Sequence, residues 1–176
     1  ERLRGHINVR LIHADILALD PGALAGGLYS VVANLPYYIT GAILRHLIES
    51  CPRPVRMVLT VQREVAERLT AGPGDQSLLA VSVQVFGSVR QVLQIRAGSF
   101  YPRPEVDSAV IRIDGYSQPL FDPLDERHFF RVLKAGFALR RKQLRNSLAA
   151  GMHLDKETID LALETAGIDP RRRAET

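Results

Sequence analysis

Two rhythms of apolar residues run along the chain. In the first two thirds, short β-rich stretches are interleaved with helical ones. Ile7-Asn8-Val9-Arg10-Leu11-Ile12-His13 alternates apolar and polar side chains, which predicts a strand running through Ala14 into a loop headed by Asp15. Pro21 to Gly27 reads as a loop. Tyr29 to Ala33 has the β-branched content of a buried strand, and it stops at Asn34 and Pro36. Beyond that stop, Ile43, Leu44, Leu47 and Ile48 recur at helical spacing, with Thr40 as candidate cap and an end near Cys51-Pro52. Val55 to Val61 predicts the next strand. Gln62 to Ala71 predicts a polar helix with Arg63, Glu64, Glu67 and Arg68 on a solvated face. Gly72-Pro73-Gly74-Asp75 breaks it, and Ser77 caps an apolar helix from Leu78 to about Phe86.

This order predicts an α/β architecture with a doubly wound sheet. Its end departs from that pattern. Val89 to Ile95 and Ser108 to Ile113 both alternate and flank a proline-stiffened loop, Gly98 to Glu105, that has no helix, so these strands should pair antiparallel. Ser117 to Asp122 reads as a linker. The second rhythm, purely helical, follows it: Asp125 to about Leu139, burying Phe129, Phe130, Leu133 and Phe137, then Gln143 to Ala150, then Lys156 to Ala166. Two domains are expected, 1–116 with the sheet and 117–176 as a small all-α unit.

Candidate chemistry concentrates at the stop after the second strand, Asn34-Leu35-Pro36-Tyr37. Pro36 removes a backbone donor and holds Leu35 extended, so the carbonyls there should point outward. Asn34 adds a side-chain acceptor, while Tyr37 and Tyr38 add flat faces for a base. Two acceptors converging on one NH2 suit the exocyclic amine of adenine, whose lone pair is otherwise conjugated into the ring. The alternative is an ordinary strand-ending turn with its tyrosines packed on the core. Asp15, at the C-terminal end of a predicted strand, stands on the edge where open α/β sheets bind ligands, or it caps a turn or short helix. Arg140-Arg141-Lys142, with Arg145 a turn later, is a phosphate-binding cluster or a solvated face.

Composition narrows the field. The net charge is +4 with 20 arginines against 3 lysines, which suits bidentate phosphate contacts. No run approaches the roughly 18 apolar residues of a membrane span, and the first residues resemble neither a signal nor a transit peptide. The lone Cys51 can form no internal disulfide or zinc site; it fits a reducing, cytoplasmic setting, is expected as a small buried hydrophobe, and no metal is expected.

Four ordered stretches together resemble one family, the ribosomal RNA adenine dimethyltransferases of the KsgA type. They are Asn34-Leu35-Pro36-Tyr37, Gln62 to Arg68, Phe100-Tyr101-Pro102-Arg103-Pro104-Glu105-Val106-Asp107-Ser108, and Phe137 to Leu148 with its Arg-Arg-Lys run. The resemblance implies a Rossmann-like class I methyltransferase sheet followed by a small helical RNA-binding domain. It implies S-adenosylmethionine as methyl donor, N6-dimethylation of adjacent adenines in small-subunit ribosomal RNA during ribosome biogenesis, a pre-30S particle as partner, and a monomer. Asn34, Leu35, Pro36 and Tyr37 would be catalytic, with Asn34 and the Leu35 carbonyl accepting from the target amine. Tyr37 and Phe100 would stack on the flipped base. Asp15 and Asn34 would hold the methyl donor, and Arg140, Arg141, Lys142 and Arg145 the RNA.

The sequence departs from the family in two ways. Ala14 stands where relatives usually carry glycine, and no glycine-rich loop opens a helix after a first strand. The chain is therefore expected to be a fragment lacking the N-terminal cofactor loop and the final helices, and to bind S-adenosylmethionine weakly by itself. A sister group that methylates large-subunit RNA and confers macrolide resistance shares the turn and the Phe-x-Pro-x-Pro loop but commonly has isoleucine where Leu35 stands. A non-catalytic RNA-binding or assembly factor on the same fold is the other alternative.

Overall fold

Residues 6–122, 125–139 and 141–176 are described in a computed structural model. Four strands form one mixed sheet in the order β1-β2-β4-β3: β1 Ser30–Asn34, β2 Arg56–Gln62, β3 Gly87–Ile95 and β4 Ser108–Gly115. β1 and β2 are parallel, from Ser30 beside Arg56 to Asn34 beside Thr60, because helix α2 (Thr40–Glu49) carries the chain back between them. β4 runs antiparallel to both neighbours, with Gln62 and Ile95 each beside Ser108. The ends of β1, β2 and β3 and the start of β4 therefore share one edge of the sheet.

The core lies on one face of that sheet. Met57, Leu59 and Val61 of β2 sit directly across from Ile113, Ile111 and Ala109 of β4, all buried. Over them pack the apolar stripe of α2, then α3 (Arg63–Leu69) through Ala66 and Leu69, and α4 (Leu78–Gln84) through Val83. Each such aliphatic side chain contributes about 1.5–3 kcal/mol by leaving water. Ser77 caps α4 by accepting from the Ala80 N–H, as its spacing predicts. Arg63, Glu64, Glu67 and Arg68 form the expected solvated face of α3, where they join in i,i+4 pairs. At the far end of the sheet, hydrogen bonds from Arg112 and then Arg56 lower the Asp114 carboxyl to about 2.

Three helices follow: α5 Glu126–Gly136, α6 Leu144–Met152 and α7 Lys156–Thr165. The first half of α5 docks on the sheet domain through an aromatic cluster. Phe121 stacks on Phe129 at 4.4 Å between ring centroids and meets Phe86 edge-on at 5.4 Å. Its second half, Ala135 and Gly136, builds a smaller core with Leu148, Ile159 and Leu163. The segment read as a linker is consequently not loose, since Leu120 donates to the Val85 carbonyl and Phe121 belongs to the seam. The last residues also have a structural part. Gln143 offers α6 no side-chain cap, and the orphan N–H groups of Leu144 and Arg145 donate instead to the carbonyls of Arg172 and Pro170, at 2.6 and 3.2 Å.

Several expectations are corrected. Residues 7–13 form no strand, and Ile7 and Leu11 are exposed, because no strand of the sheet lies beside them to pair with. For the same reason β1 is an edge rather than a buried strand, with Val32 83% exposed. Pro21–Ala25 is a helical turn, α1, started by Asp20 accepting from the Ala23 N–H with Pro21 at the first position, and stopped by Gly26 at φ 65. Thr40 does not cap α2 by accepting an N–H; its hydroxyl donates backwards to the Pro36 carbonyl. Cys51 is exposed, beyond the last turn of α2.

α5 and α6 cross where Gly151 lets them touch, since a Cβ there would lie 2.6 Å from the Cα and Cβ of Ala135. Gly151→Ala is expected to cost about 1–3 kcal/mol by forcing the helices apart. Gly27→Ala, which meets nothing within 4 Å, should leave the urea midpoint nearly unchanged.

Candidate active site

The turn after β1 is held from four sides. The Leu35 N–H donates to the Thr60 carbonyl at 3.1 Å, carrying the β1–β2 register one residue past the strand, and the Leu35 side chain is buried. Pro36, at φ −62 and ψ 128, cannot extend that ladder, and its own carbonyl accepts the Ile39 N–H at 3.3 Å and the Thr40 hydroxyl at 3.1 Å. A 3-10 turn, Tyr37–Ile39, then feeds α2. The Tyr37 hydroxyl closes the arrangement through a short hydrogen bond with the Ser108 hydroxyl, on the first residue of β4 and fully buried.

Two acceptors are left over. The Pro36 carbonyl is engaged twice, while no described N–H or hydroxyl donates to the carbonyl of Leu35 or to the exposed side chain of Asn34. They are adjacent in the chain and stand at the sheet edge. The turn is thus fixed through the Leu35 N–H, the Pro36 carbonyl and the Tyr37 hydroxyl, and two acceptors beside those contacts are unengaged by the described residues.

The loop bearing Phe100 arrives at the same edge. Asp107 fastens it: its carboxylate accepts the Ala97 N–H at 2.9 Å and its carbonyl accepts the Arg63 N–H at 3.0 Å, tying the loop to the start of α3. Sequence reasoning gave Asp107 and Ser108 no role of their own and read Thr40 only as a helix cap. The signal available for the first two was their place at the end of the Phe100–Ser108 stretch. Phe100 and Tyr37 are both half-buried. Among the described residues the ring contacts fall in the Phe86–Phe121–Phe129–Phe130 cluster, so Tyr37 and Phe100 are not stacked on each other. Tyr38 and Tyr101 project into solvent.

Asp15 caps a 3-10 turn, Ile16–Ala18, by accepting the Leu17 N–H at 2.9 Å with one carboxylate oxygen, and it is exposed. That turn packs on α2, and the His46 ring donates through Nε2 to the Leu19 carbonyl at 2.8 Å, which anchors the segment. The capping alternative is therefore present in the structure, and the second carboxylate oxygen is unused by it.

The basic run is split. Arg140 lies outside the described residues. Arg141, at φ 66, and Lys142 are exposed and carry no ion pair, whereas Arg145 is bonded to Asp160 of α7 and half-buried. Arg145 thus joins α6 to α7 instead of standing free for a phosphate.

The strand order, the parallel β1–β2 pair and the antiparallel closing pair define a mixed α/β sheet of Rossmann-like type. The chain belongs to the ribosomal RNA adenine dimethylase family, whose family model matches residues 1–175. It is 46% identical to the ribosomal RNA small subunit methyltransferase A of Dehalococcoides mccartyi strain CBDB1, over the whole of this chain and 61% of the relative. It is 45% identical to the protein of the same name from Moorella thermoacetica, again over the whole chain and 65% of the relative. The chain thus spans less than two thirds of the length of these relatives. Among solved structures, the 23S rRNA methyltransferase ErmE matches 99% of this chain and 69% of its own with a TM-score of 0.73 at 24% identity. A dimethyladenosine transferase from Plasmodium falciparum matches 84% of this chain and 62% of its own, with a TM-score of 0.71 at 24% identity. These two show the fold.

The Tyr37–Ser108 bond lends itself to a double-mutant test. Tyr37→Phe leaves a buried hydroxyl without its partner and is expected to cost about 1–3 kcal/mol in urea unfolding. Adding Ser108→Ala should recover most of that loss; additive losses would show that the two hydroxyls do not act as a pair.

Proposed function

We propose that this chain carries the base-holding half of an S-adenosylmethionine-dependent enzyme that dimethylates N6 of adjacent adenines in small-subunit ribosomal RNA. The observation that carries the reading is the pair of unengaged acceptors, the Asn34 side-chain oxygen and the Leu35 carbonyl, on a turn whose Leu35 N–H, Pro36 carbonyl and Tyr37 hydroxyl are engaged. Residues 1–116 would hold the reacting base and part of the donor site, and 117–176 would bind RNA. The small-subunit name of the relatives above 40% identity supports this substrate over large-subunit RNA, since the ErmE likeness at 24% speaks to the fold. A cytoplasmic monomer acting on a pre-30S particle is the corresponding setting; no helix of the described residues is long and apolar enough to cross a membrane.

Residues present fit such a donor. The unused oxygen of Asp15, on the turn packed against α2, and the free amide oxygen of Asn34, at the ligand-binding edge of the sheet, are acceptors suited to amino groups. When bound, S-adenosylmethionine supplies a methyl carbon already activated on a sulfonium, so the protein's task is alignment and electrostatics.

The base must leave its stack to reach the edge, which costs a few kcal/mol, and stacking on aromatic side chains returns about 1–3 kcal/mol per base. Tyr37, fixed through its hydroxyl, and Phe100, fixed through Asp107, would flank the purine. Asn34 and Leu35 then accept the two N–H bonds of the amine. With both protons held in the acceptors' directions, the nitrogen is favoured in its tetrahedral form and its lone pair is released from the ring. In that arrangement Asn34 and Leu35 would aim the N6 lone pair toward the donor side of the edge and hold its protons until the one lost on methylation leaves to water. The Pro36 carbonyl is already engaged, so it does not compete for the amine.

Asn34→Ala in the protein assayed on small-subunit RNA is expected to lower methyl transfer about 10²–10³-fold, the scale for one preorganised polar group. RNA affinity should stay within about twofold. Unchanged transfer would remove Asn34 from the mechanism, and transfer to large-subunit RNA instead would favour the sister enzyme.

A further inference from the structure

A large cavity among the described residues lies away from the Asn34 turn. It is an open groove of about 1220 Å³ between α2, the start of α4 and the outer face of α5. Gly41, the residue after Thr40, lies at one end, and the groove follows α2 to Glu49. At about 1.5 Å per helical residue, it runs roughly 12 Å away from the turn.

Its walls have an asymmetric charge. Arg127, Arg131 and Lys134 fall at i, i+4 and i+7 on α5, one face of the helix, and all are exposed. Arg141 and Lys142 continue the line. None of these five has an ion-pair partner among the described residues. The acids of the groove are otherwise disposed: Glu49 is bonded to Arg45 at 2.7 Å, Glu126 to Arg53 at 3.5 Å and Glu175 to Arg173 at 3.6 Å, leaving Asp75. A wall of exposed, unneutralised cations beside an apolar floor concentrates positive potential and selects a polyanion.

The kind of polyanion contact is also legible. Phe86 and Phe130 are committed to the aromatic seam, which leaves the half-buried Phe137 beside five exposed cations, so charge outweighs ring surface in the groove. The most exposed rings, Tyr38 and Tyr101, are instead on the segments that bear the candidate site. Bases belong at the turn and phosphates in the groove.

We infer that this groove holds the phosphate backbone of the RNA leading away from the target adenine, without reading its sequence, and that Arg127, Arg131 and Lys134 of α5 are its principal contacts. The inference rests on the reading that the chain acts on RNA. It enlarges the RNA-contacting surface from the Arg-Arg-Lys run to a continuous track that starts beside the turn.

The test is fluorescence anisotropy of the protein with a labelled RNA hairpin, titrated in potassium chloride, for wild type and the triple variant Arg127→Gln, Arg131→Gln, Lys134→Gln. All three side chains are exposed, so the variant should fold, which circular dichroism checks. The slope of log affinity against log salt should fall in magnitude by about 2–3, at 0.7–0.9 per lost phosphate contact, and equally for a hairpin of scrambled stem sequence. Arg90→Gln, on the opposite edge strand, should leave the slope unaltered. An unchanged slope in the triple variant, or an equal loss in the Arg90 control, overturns the groove assignment. So does a groove that takes an acidic protein, because RNA binding would then survive. If methyl transfer still depends on Asn34 in those cases, the proposed activity stands alone; if wild type binds no RNA, the activity falls first.

Discussion

Two hydroxyls, those of Tyr37 and Ser108, join segments 71 residues apart in the chain, and the geometry of the candidate site depends on that junction. Ser108 is fully buried at the head of β4, so its hydroxyl needs an internal partner and the tyrosine needs a fixed anchor. Each satisfies the other. The ring is thereby oriented without being swallowed by the core. The same residue, Ser108, sits between Gln62 and Ile95, where three strand ends meet, and Asp107 beside it secures the loop of Phe100. One point on the sheet edge thus aligns the turn and the loop that would close on a base from opposite sides.

The remainder of the turn is arranged by subtraction. Proline denies the strand its next donor, Leu35 takes one last sheet bond and sinks into the core, and the Thr40 hydroxyl and Ile39 N–H draw the Pro36 carbonyl inward. What remains outward is one amide and one carbonyl. A site assembled this way is preorganised, because the groups that would otherwise move are already engaged, and preorganised dipoles are the economical means of stabilising charge that develops on a nucleophile.

The helical segment meets the sheet through aromatic rings. Phe121, edge-on to Phe86 and stacked on Phe129, holds α5 where its cationic face lines the groove that begins at Gly41. Arg145, which looks in the sequence like a fourth member of the basic run, is drawn into the α6–α7 contact by Asp160. Cations of equal appearance in the sequence therefore divide into a structural one and available ones, according to whether an acid on the neighbouring helix reaches them.

The sequence by itself determined the strand and helix types over most of the sheet domain, the antiparallel closing pair and the position of the acceptor turn. Those features follow from local rules: periodicity, a proline that removes a donor, and a loop with no room for a crossover helix. Local rules misled where a partner decides the outcome. Residues 7–13 alternate like a strand but have no neighbour to bond, and Tyr29–Ala33 looks buried but lies at the sheet's edge. Thr40 looks like a cap, yet the carbonyl of Pro36 is closer to hand. The Asp20-Pro21 start and Gly26 stop of α1 were written in the residues and too short to show as a period. Only the tertiary structure decided that Tyr37 is anchored by Ser108, that Leu35 rather than Pro36 keeps a free carbonyl, and that Arg127, Arg131 and Lys134 face one groove with Arg141 and Lys142. Each of these depends on which groups are brought together across long stretches of chain, and residue spacing carries no record of that.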